Sequence, residues 1–183
     1  SNALGALGYI RAMEELVNDI TNTLGGGNRP CTIINAAGSG GTSAGLILGA
    51  KIFDVNVRIA AVNVCDDRAY FVQAIGDICE QAIADYHLDV DFRRQRDVEI
   101  IDGYVGLGYA LSQTEELELI CEVACTEGVF LDPVYTGKAF FGMIQELKRD
   151  PKCFGEQIIF LHTGGLFGLF PKASQISPLL EIR

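Results

Sequence analysis

The chain has 183 residues, a length that suits one domain, or one and a fraction, and 49% of them are hydrophobic, enough for a substantial core. No apolar run reaches the length of a membrane span. The formal net charge is −10 with no basic block, which argues against nucleic acid or an anionic membrane surface as a partner.

Asn2 is placed to cap a first helix running to about Leu24, with Leu7, Ile10, Met13, Leu16, Val17 and Ile20 as its apolar stripe. The opening lacks a basic region followed by a hydrophobic one, so no signal peptide is expected; Ser-Asn-Ala is also what tag removal commonly leaves. Gly25-Gly26-Gly27-Asn28 reads as a loop into a buried strand over Cys31 to Ala36. Next come Gly38, Ser39, Gly40, Gly41, Thr42 and Ser43, and from Ala44 the residues read as a helix. A strand, a tight glycine turn and a helix make a concave nest of N–H groups at a positive helix end, which suits a phosphate or another small anion. The turn is not a P-loop, because no lysine follows its last glycine. Nor is it a full G-x-G-x-x-G, because Ser43 stands where the third glycine belongs.

Val57 to Val64 predicts the second strand, long and β-branched enough for a doubly covered position. Tyr70 to Tyr86 predicts a helix with Val72, Ile75, Ile78, Cys79 and Ile83 inward. Asp91 to Asp97 is charged, and Arg93, Arg94 and Arg96 read as a solvated patch. Val98 to Ile101 follows as a short strand, then Gly103 to Tyr109 as a glycine–aromatic loop too apolar for an idle surface turn. Thr114 to Thr126 predicts a helix and Val129 to Leu131 a short strand. Asp132 to Lys138 predicts a loop into a helix ending near Asp150, and Gln157 to His162 the last strand. Thr163-Gly164-Gly165 then opens a terminal helix. Alternating strands and helices imply an α/β fold of three layers, a mostly parallel sheet with helices on both faces.

Six cysteines sit at irregular spacing, and Cys31, Cys79 and Cys121 lie inside apolar segments. They read as buried thiols of a reducing, cytoplasmic setting. Cys121 and Cys125 could share a helix face, but the only two histidines, His87 and His162, are distant in sequence, so no metal site is expected. His162 reads as a packed strand-end side chain, and no Ser-His-Asp arrangement is visible. In open parallel sheets ligands bind beyond the carboxyl ends of the strands. Loops there would gather Thr42, Tyr109, Tyr135, Thr136 and Thr163 around one cleft. A phosphate nest with tyrosines and threonines, and without metal ligands, fits a phosphorylated organic cofactor better than a hydrolase.

Four segments occur in order: SNALGALGY, AGSGGTSAGL, LDPVYTGKAFFGMI and FLHTGG. Together they resemble the C-terminal part of the D-cysteine desulfhydrase and 1-aminocyclopropane-1-carboxylate deaminase family, in the tryptophan-synthase-β-like group of pyridoxal-phosphate enzymes. The resemblance implies that Gly38, Ser39, Gly40, Gly41 and Thr42 hold the cofactor phosphate, and that Tyr109 and Tyr135 are the family's two active-site tyrosines. It places Thr136 where the deaminase has a glutamate facing the pyridine nitrogen, and Thr163 where the deaminase usually has leucine. Both differences point toward the desulfhydrase, with either threonine open as the partner of the ring nitrogen. The implied reaction is β-elimination from a small amino acid, most simply D-cysteine to pyruvate, ammonia and hydrogen sulfide, with 1-aminocyclopropane-1-carboxylate deamination as the alternative.

In the family the cofactor-linking lysine, and most of the smaller domain with its active-site serine, precede the segment that opens this chain. Residues 1–183 are therefore expected to be the C-terminal part of the large domain, unable to run the reaction alone. Apolar surface left by the upstream strands would invite a homodimer or a complementing segment. Two further readings stay open: a non-catalytic module binding a phosphorylated metabolite, and a nucleotide-binding domain with Asp66 or Asp67 on a ribose hydroxyl.

Overall fold

Four strands, Cys31–Ala37 (β1), Val57–Asn63 (β2), Glu99–Ile101 (β3) and Gln157–Phe160 (β4), form one parallel sheet in the order β3-β2-β1-β4. The computed structural model describes residues 1–23 and 31–181, without the side chains of 20–23. The predicted 25–28 loop, the end of the first helix at Leu24 and the Ile20 side chain lie outside the described residues. Strand β1 is central and covered on both faces, which is why it is buried almost along its whole length rather than alternately, its polar Thr32 and Asn35 hydrogen-bonded inside. From β1 the chain steps outward through β2 and β3, and then β4 pairs on the other side of β1. The order reverses there, so the carboxyl ends of β1 and β4 flank the switch point where open α/β sheets bind ligands.

The helices are Ala3–Thr23 (α1), Gly41–Ile52 (α2), Arg68–Tyr86 (α3), Arg94–Asp97 (α4), Thr114–Glu127 (α5), Thr136–Arg149 (α6) and Ala173–Glu181 (α7), with a 3-10 turn over Leu166–Lys172. Alternate strand residues face opposite ways. Ile33, Ala37, Ile59, Ala61 and Ile100 meet α1, α2 and α3. Ile34, Ala60, Val62 and Ile101 meet Ala139 and Met143 of α6, together with Phe154. A third cluster joins α5 to Leu131, Leu169 and α7 through Leu117, Ile120 and Ile176. Asn2 caps α1, its side-chain oxygen accepting from the Gly5 N–H at 2.9 Å. Among the described residues no helix is long and apolar enough to cross a membrane.

The three-layer parallel architecture matches the reading of the sequence, with local differences: β4 stops at Phe160 rather than His162, and a 3-10 turn over Leu166–Lys172 precedes the terminal helix. Helix α2 begins at Gly41, three residues before the predicted Ala44, so the glycine turn is also the helix's first turn. Val129 to Leu131 is not a strand: Leu131 is buried under α5, while Val129 and Phe130 are 42% and 57% exposed. Arg93 and Arg96 are exposed as expected, but Arg94 is only partly solvated. Its side chain lies across Gly76 of α3 and donates to Asp77 and Glu80 at 2.8 and 2.7 Å.

Candidate active site

The cleft at the switch point is built first by β1 and α2. Gly40 adopts φ +84°, a left-handed conformation that costs glycine little, and it caps α2 without any side-chain hydrogen bond. The leading N–H groups of α2 therefore open toward the turn, carrying the partial positive charge of a helix start. A Cβ on Gly38 would stand 2.6 Å from the Tyr135 ring, so glycine is what lets the turn and the opposite wall close on one another. Ser1 closes the outer side, its hydroxyl 2.6 Å from that of Ser39. Beneath the turn Asn35 donates to the Ser43 hydroxyl at 2.8 Å, tying β1 to the first turn of α2. An uncapped helix start behind glycines that a side chain would fill fits a phosphate group.

The opposite wall belongs to the start of α6. Asp132 is 1% exposed and works as a template. Its Oδ2 accepts from the N–H groups of Val134 and Tyr135 at 2.8 and 2.9 Å, and its Oδ1 from that of Thr136 at 2.7 Å. Gly165 packs against the same carboxylate: a Cβ there would stand 2.6 Å from Asp132 Cγ. Asp132 thus couples the tyrosine-bearing turn to the Thr163–Gly165 segment that follows β4.

The cavity between these walls holds about 310 Å³ and is lined by Tyr9, Gly38, Ser39, Thr42, Tyr135 and Thr163, among others. A second cavity of about 470 Å³ adjoins it through Gly38 and is lined by Cys65, Asp66, Val105, Gly108 and Tyr109. The hydroxyls of Tyr109 and Tyr135 hydrogen-bond to each other between the two cavities, with their rings edge to face. That hydrogen bond, together with burial, pushes the Tyr135 phenol up to about 12. Burial and the neighbouring Asp66 push the Cys65 thiol up to about 11.

The structure thus brings Gly38, Ser39, Thr42, Tyr135 and Thr163 around one cleft, backed by Gly40 and Gly41, with Tyr109 joined to it through Tyr135. Thr136 is not at the cleft. It is fully buried, its hydroxyl donating to Asp132 Oδ1 and accepting from the Asp132 N–H, both at 2.8 Å. Asp67 is engaged as the cap of α3, accepting from the Tyr70 N–H at 2.8 Å. His162 is exposed, with Nε2 2.8 Å from the Phe130 carbonyl oxygen, rather than packed. Cys121 is buried and Cys125 exposed. Sequence reasoning missed Tyr9, which lies outside the predicted apolar stripe of the first helix, and Asp132, whose carboxylate bonds the backbone two residues on as turn-forming aspartates do.

An uncapped helix start behind a glycine turn, at the switch point of a parallel sheet and faced by a pair of tyrosines, defines an α/β protein whose cleft suits a phosphorylated ligand. The chain belongs to the family described as pyridoxal-phosphate dependent enzymes, whose model matches residues 1–164. It is 41% identical over 181 residues to the mitochondrial bifunctional D-cysteine desulfhydrase/1-aminocyclopropane-1-carboxylate deaminase of Arabidopsis thaliana, covering 98% of this chain and 43% of that protein. A Thermotoga maritima protein provisionally named a 1-aminocyclopropane-1-carboxylate deaminase is 38% identical over 177 residues, covering 96% of this chain and 53% of its own. The crystal structure of an ACC deaminase homologue superposes with a TM-score of 0.81 at 34% identity, over 98% of this chain and 51% of that one. The chain thus spans about half the length of the relatives it matches.

Proposed function

We propose that the Gly38–Thr42 turn holds the phosphate of pyridoxal 5′-phosphate, and that the cleft serves β-elimination on a small amino acid. D-Cysteine and water would give pyruvate, ammonia and hydrogen sulfide. The observation that carries this reading is the uncapped α2 start facing Tyr135 across a gap that only glycine at position 38 leaves open.

The roles follow from the geometry. N–H groups of the turn and the hydroxyls of Ser39 and Thr42 would bind the phosphate oxygens. Bound there, pyridoxal phosphate supplies an electron sink for the pair left at Cα of an amino acid. The Tyr135 phenol, held near 12, stays protonated at neutral pH and so acts as a hydrogen-bond or proton donor rather than a resting base. Tyr109, 54% exposed, is the member of the pair that reaches solvent and can relay the proton. Thr163 is the hydroxyl we assign to the ring nitrogen, because the Thr136 hydroxyl is already used twice by Asp132. A hydroxyl holds a proton on that nitrogen far less strongly than a carboxylate would, which favours loss of a good leaving group.

The lysine that would tether the cofactor is not in this cleft. Lys51 pairs with Asp97 at 3.1 Å, and Lys138 is buried against Glu116 at 3.3 Å. We read residues 1–183 as the phosphate-binding part of the large domain, with the amine contributed by a segment outside this sequence.

Binding of pyridoxal phosphate, pyridoxal and inorganic phosphate, followed by tyrosine fluorescence, tests the site. Pyridoxal phosphate should bind and be displaced by phosphate, with pyridoxal weaker by about tenfold or more. Equal affinity for pyridoxal and its phosphate would end the reading. A second reading, the deaminase, is favoured by the naming of the relatives. On a protein of the relatives' full length, sulfide release from D-cysteine without turnover of 1-aminocyclopropane-1-carboxylate supports the first reading, and the reverse supports the second.

A further inference from the structure

Lys138 lies within the motif that carries Tyr135, yet it faces away from the cleft. It is 0% exposed, and its partner Glu116 is 2% exposed. Its Nζ donates to the Val105 carbonyl at 2.7 Å and to both Glu116 oxygens at 3.3 Å. A buried ion pair is weak evidence for stability, because desolvating both groups offsets most of their attraction; its better-attested use is to fix one arrangement among several.

The arrangement at stake is the loop that carries Tyr109. Val105 O also accepts, at 3.4 Å, from the N–H of Gly108, so the turn leading into Tyr109 is built on the oxygen that Lys138 holds. Gly106, at φ +66°, lies so close to Gln113 and Glu116 that a Cβ would stand 2.9 Å from each. Glu116 in turn accepts from the Gln113 N–H at 3.0 Å, which anchors it at the start of α5. The residue before Val105, Tyr104, lies over Gly142 and donates to Glu146 at 2.6 Å. The stem of the loop is therefore pinned to α5 and α6, while its tip is open, with Leu107 67% and Tyr109 54% exposed.

We propose that Lys138, clamped by Glu116, is a positioning residue that sets Tyr109 against Tyr135 through the Val105 carbonyl. It acts on the tyrosine pair and is not an amine for the cofactor. This rests on the reading that both tyrosines belong to the active site, but the test below needs no cofactor.

The variant Lys138→Met with Glu116→Gln removes the clamp without stranding a buried charge. Methionine fills the space of the lysine stem, and glutamine keeps an oxygen for the Gln113 N–H. Two readouts follow on the full chain. Amide exchange over residues 103–112 should rise about tenfold while that of β1 and α2 stays within about twofold. In an ultraviolet titration one late tyrosine should return from about 12 toward the ordinary 10, as it should in Tyr109→Phe, with no further shift when the changes are combined. Lys138→Arg, which keeps a charged donor and guards against a fold that fails, should retain the native exchange and titration. An unchanged tyrosine titration, or exchange that rises evenly along the chain, overturns the proposal. Failure of the unaltered chain to bind pyridoxal phosphate, with the titration response of the variants intact, would overturn the functional reading and leave the clamp standing.

Discussion

The two walls of the cleft are built by different physics. The β1–α2 wall is a matter of closeness: α2 is buried from Gly41 to Ala50 except for Thr42, Gly45 and Gly49 let it lie directly against α1, and its cap Gly40 lies against Ile75 of α3. The α6 wall is a matter of polarity: Asp132, Thr136, Lys138 and Glu116 are each 2% exposed or less and satisfy one another inside the protein. The first wall should tolerate a change of chemistry but not of volume. The second should tolerate volume better than the loss of one polar partner.

Breaking the polar wall at its ion pair should have the largest effect. Lys138→Met alone leaves Glu116 charged and unpaired, which costs about 3–5 kcal/mol, whereas replacing both partners costs far less. Urea unfolding of the two variants side by side measures the difference, and equal losses would mean that the pair is not an interdependent unit. Asp132→Asn comes next. Asparagine keeps one acceptor oxygen but sets an N–H₂ against N–H donors, and about 2–3 kcal/mol should be lost with the hydrogen bonds to a charged group. Because those N–H groups include that of Tyr135, the same variant should also lower the affinity for pyridoxal phosphate.

The close-packed wall is tested at Gly45. A Cβ there would press on the Ala6 carbonyl oxygen and on Tyr9. Overpacking of about 1–3 kcal/mol opposes a helix-propensity gain of up to about 1 kcal/mol for alanine. Since the obstruction is backbone, Gly45→Ala should destabilise by about 2 kcal/mol and lower the melting temperature by about 4–8 °C. A melting point at or above that of the parent would mean that α1 can slide away at no cost.

This contrast explains what the sequence discloses. The close-packed wall is written in residue types: a mostly apolar strand, four small residues in a turn, and a helix without charge until Lys51. The polar wall is written in partnerships, and spacing does not show partners. Lys138, Glu116 and Arg94 look like surface charges in a list of residues, and each is covered by a glycine-permitted approach or a helix start that only the fold brings near. Thr136 and Thr163 are both open as neighbours of a ring nitrogen in the sequence; Asp132, four residues before Thr136, consumes the Thr136 hydroxyl, a partnership that spacing does not display and that supports the proposal of Thr163. Val129 to Leu131 has the composition of a strand, but only Leu131 is buried, in the cluster of α5 and α7, while Val129 and Phe130 face solvent and pair with no strand of the described sheet.

Charges at the opposite end of the sheet sharpen the comparison, because there the same residue types meet water. Asp97 at the end of α4 pairs with Lys51 of α2 at 3.1 Å and with Arg96 at 2.8 Å, and accepts from the Arg93 N–H at 2.7 Å. Burial on its own would raise the carboxyl, but these hydrogen bonds and the lysine outweigh it and hold it at about 2, below the ordinary 3.8. A carboxyl whose folded value is depressed binds its proton more readily in the unfolded chain. Its contribution is therefore complete above 3.8 and disappears as the pH falls toward 2. Arg96 is 45% exposed, so water screens the pair and the contribution should be only about 1 kcal/mol. Asp97→Asn should narrow its stability deficit against the parent over that acid interval, as measured by urea unfolding at several pH values. A deficit that stays constant through the interval would show that Asp97 acts by packing, and the distinction between a wet ion pair and the dry one at Lys138 would lose its basis.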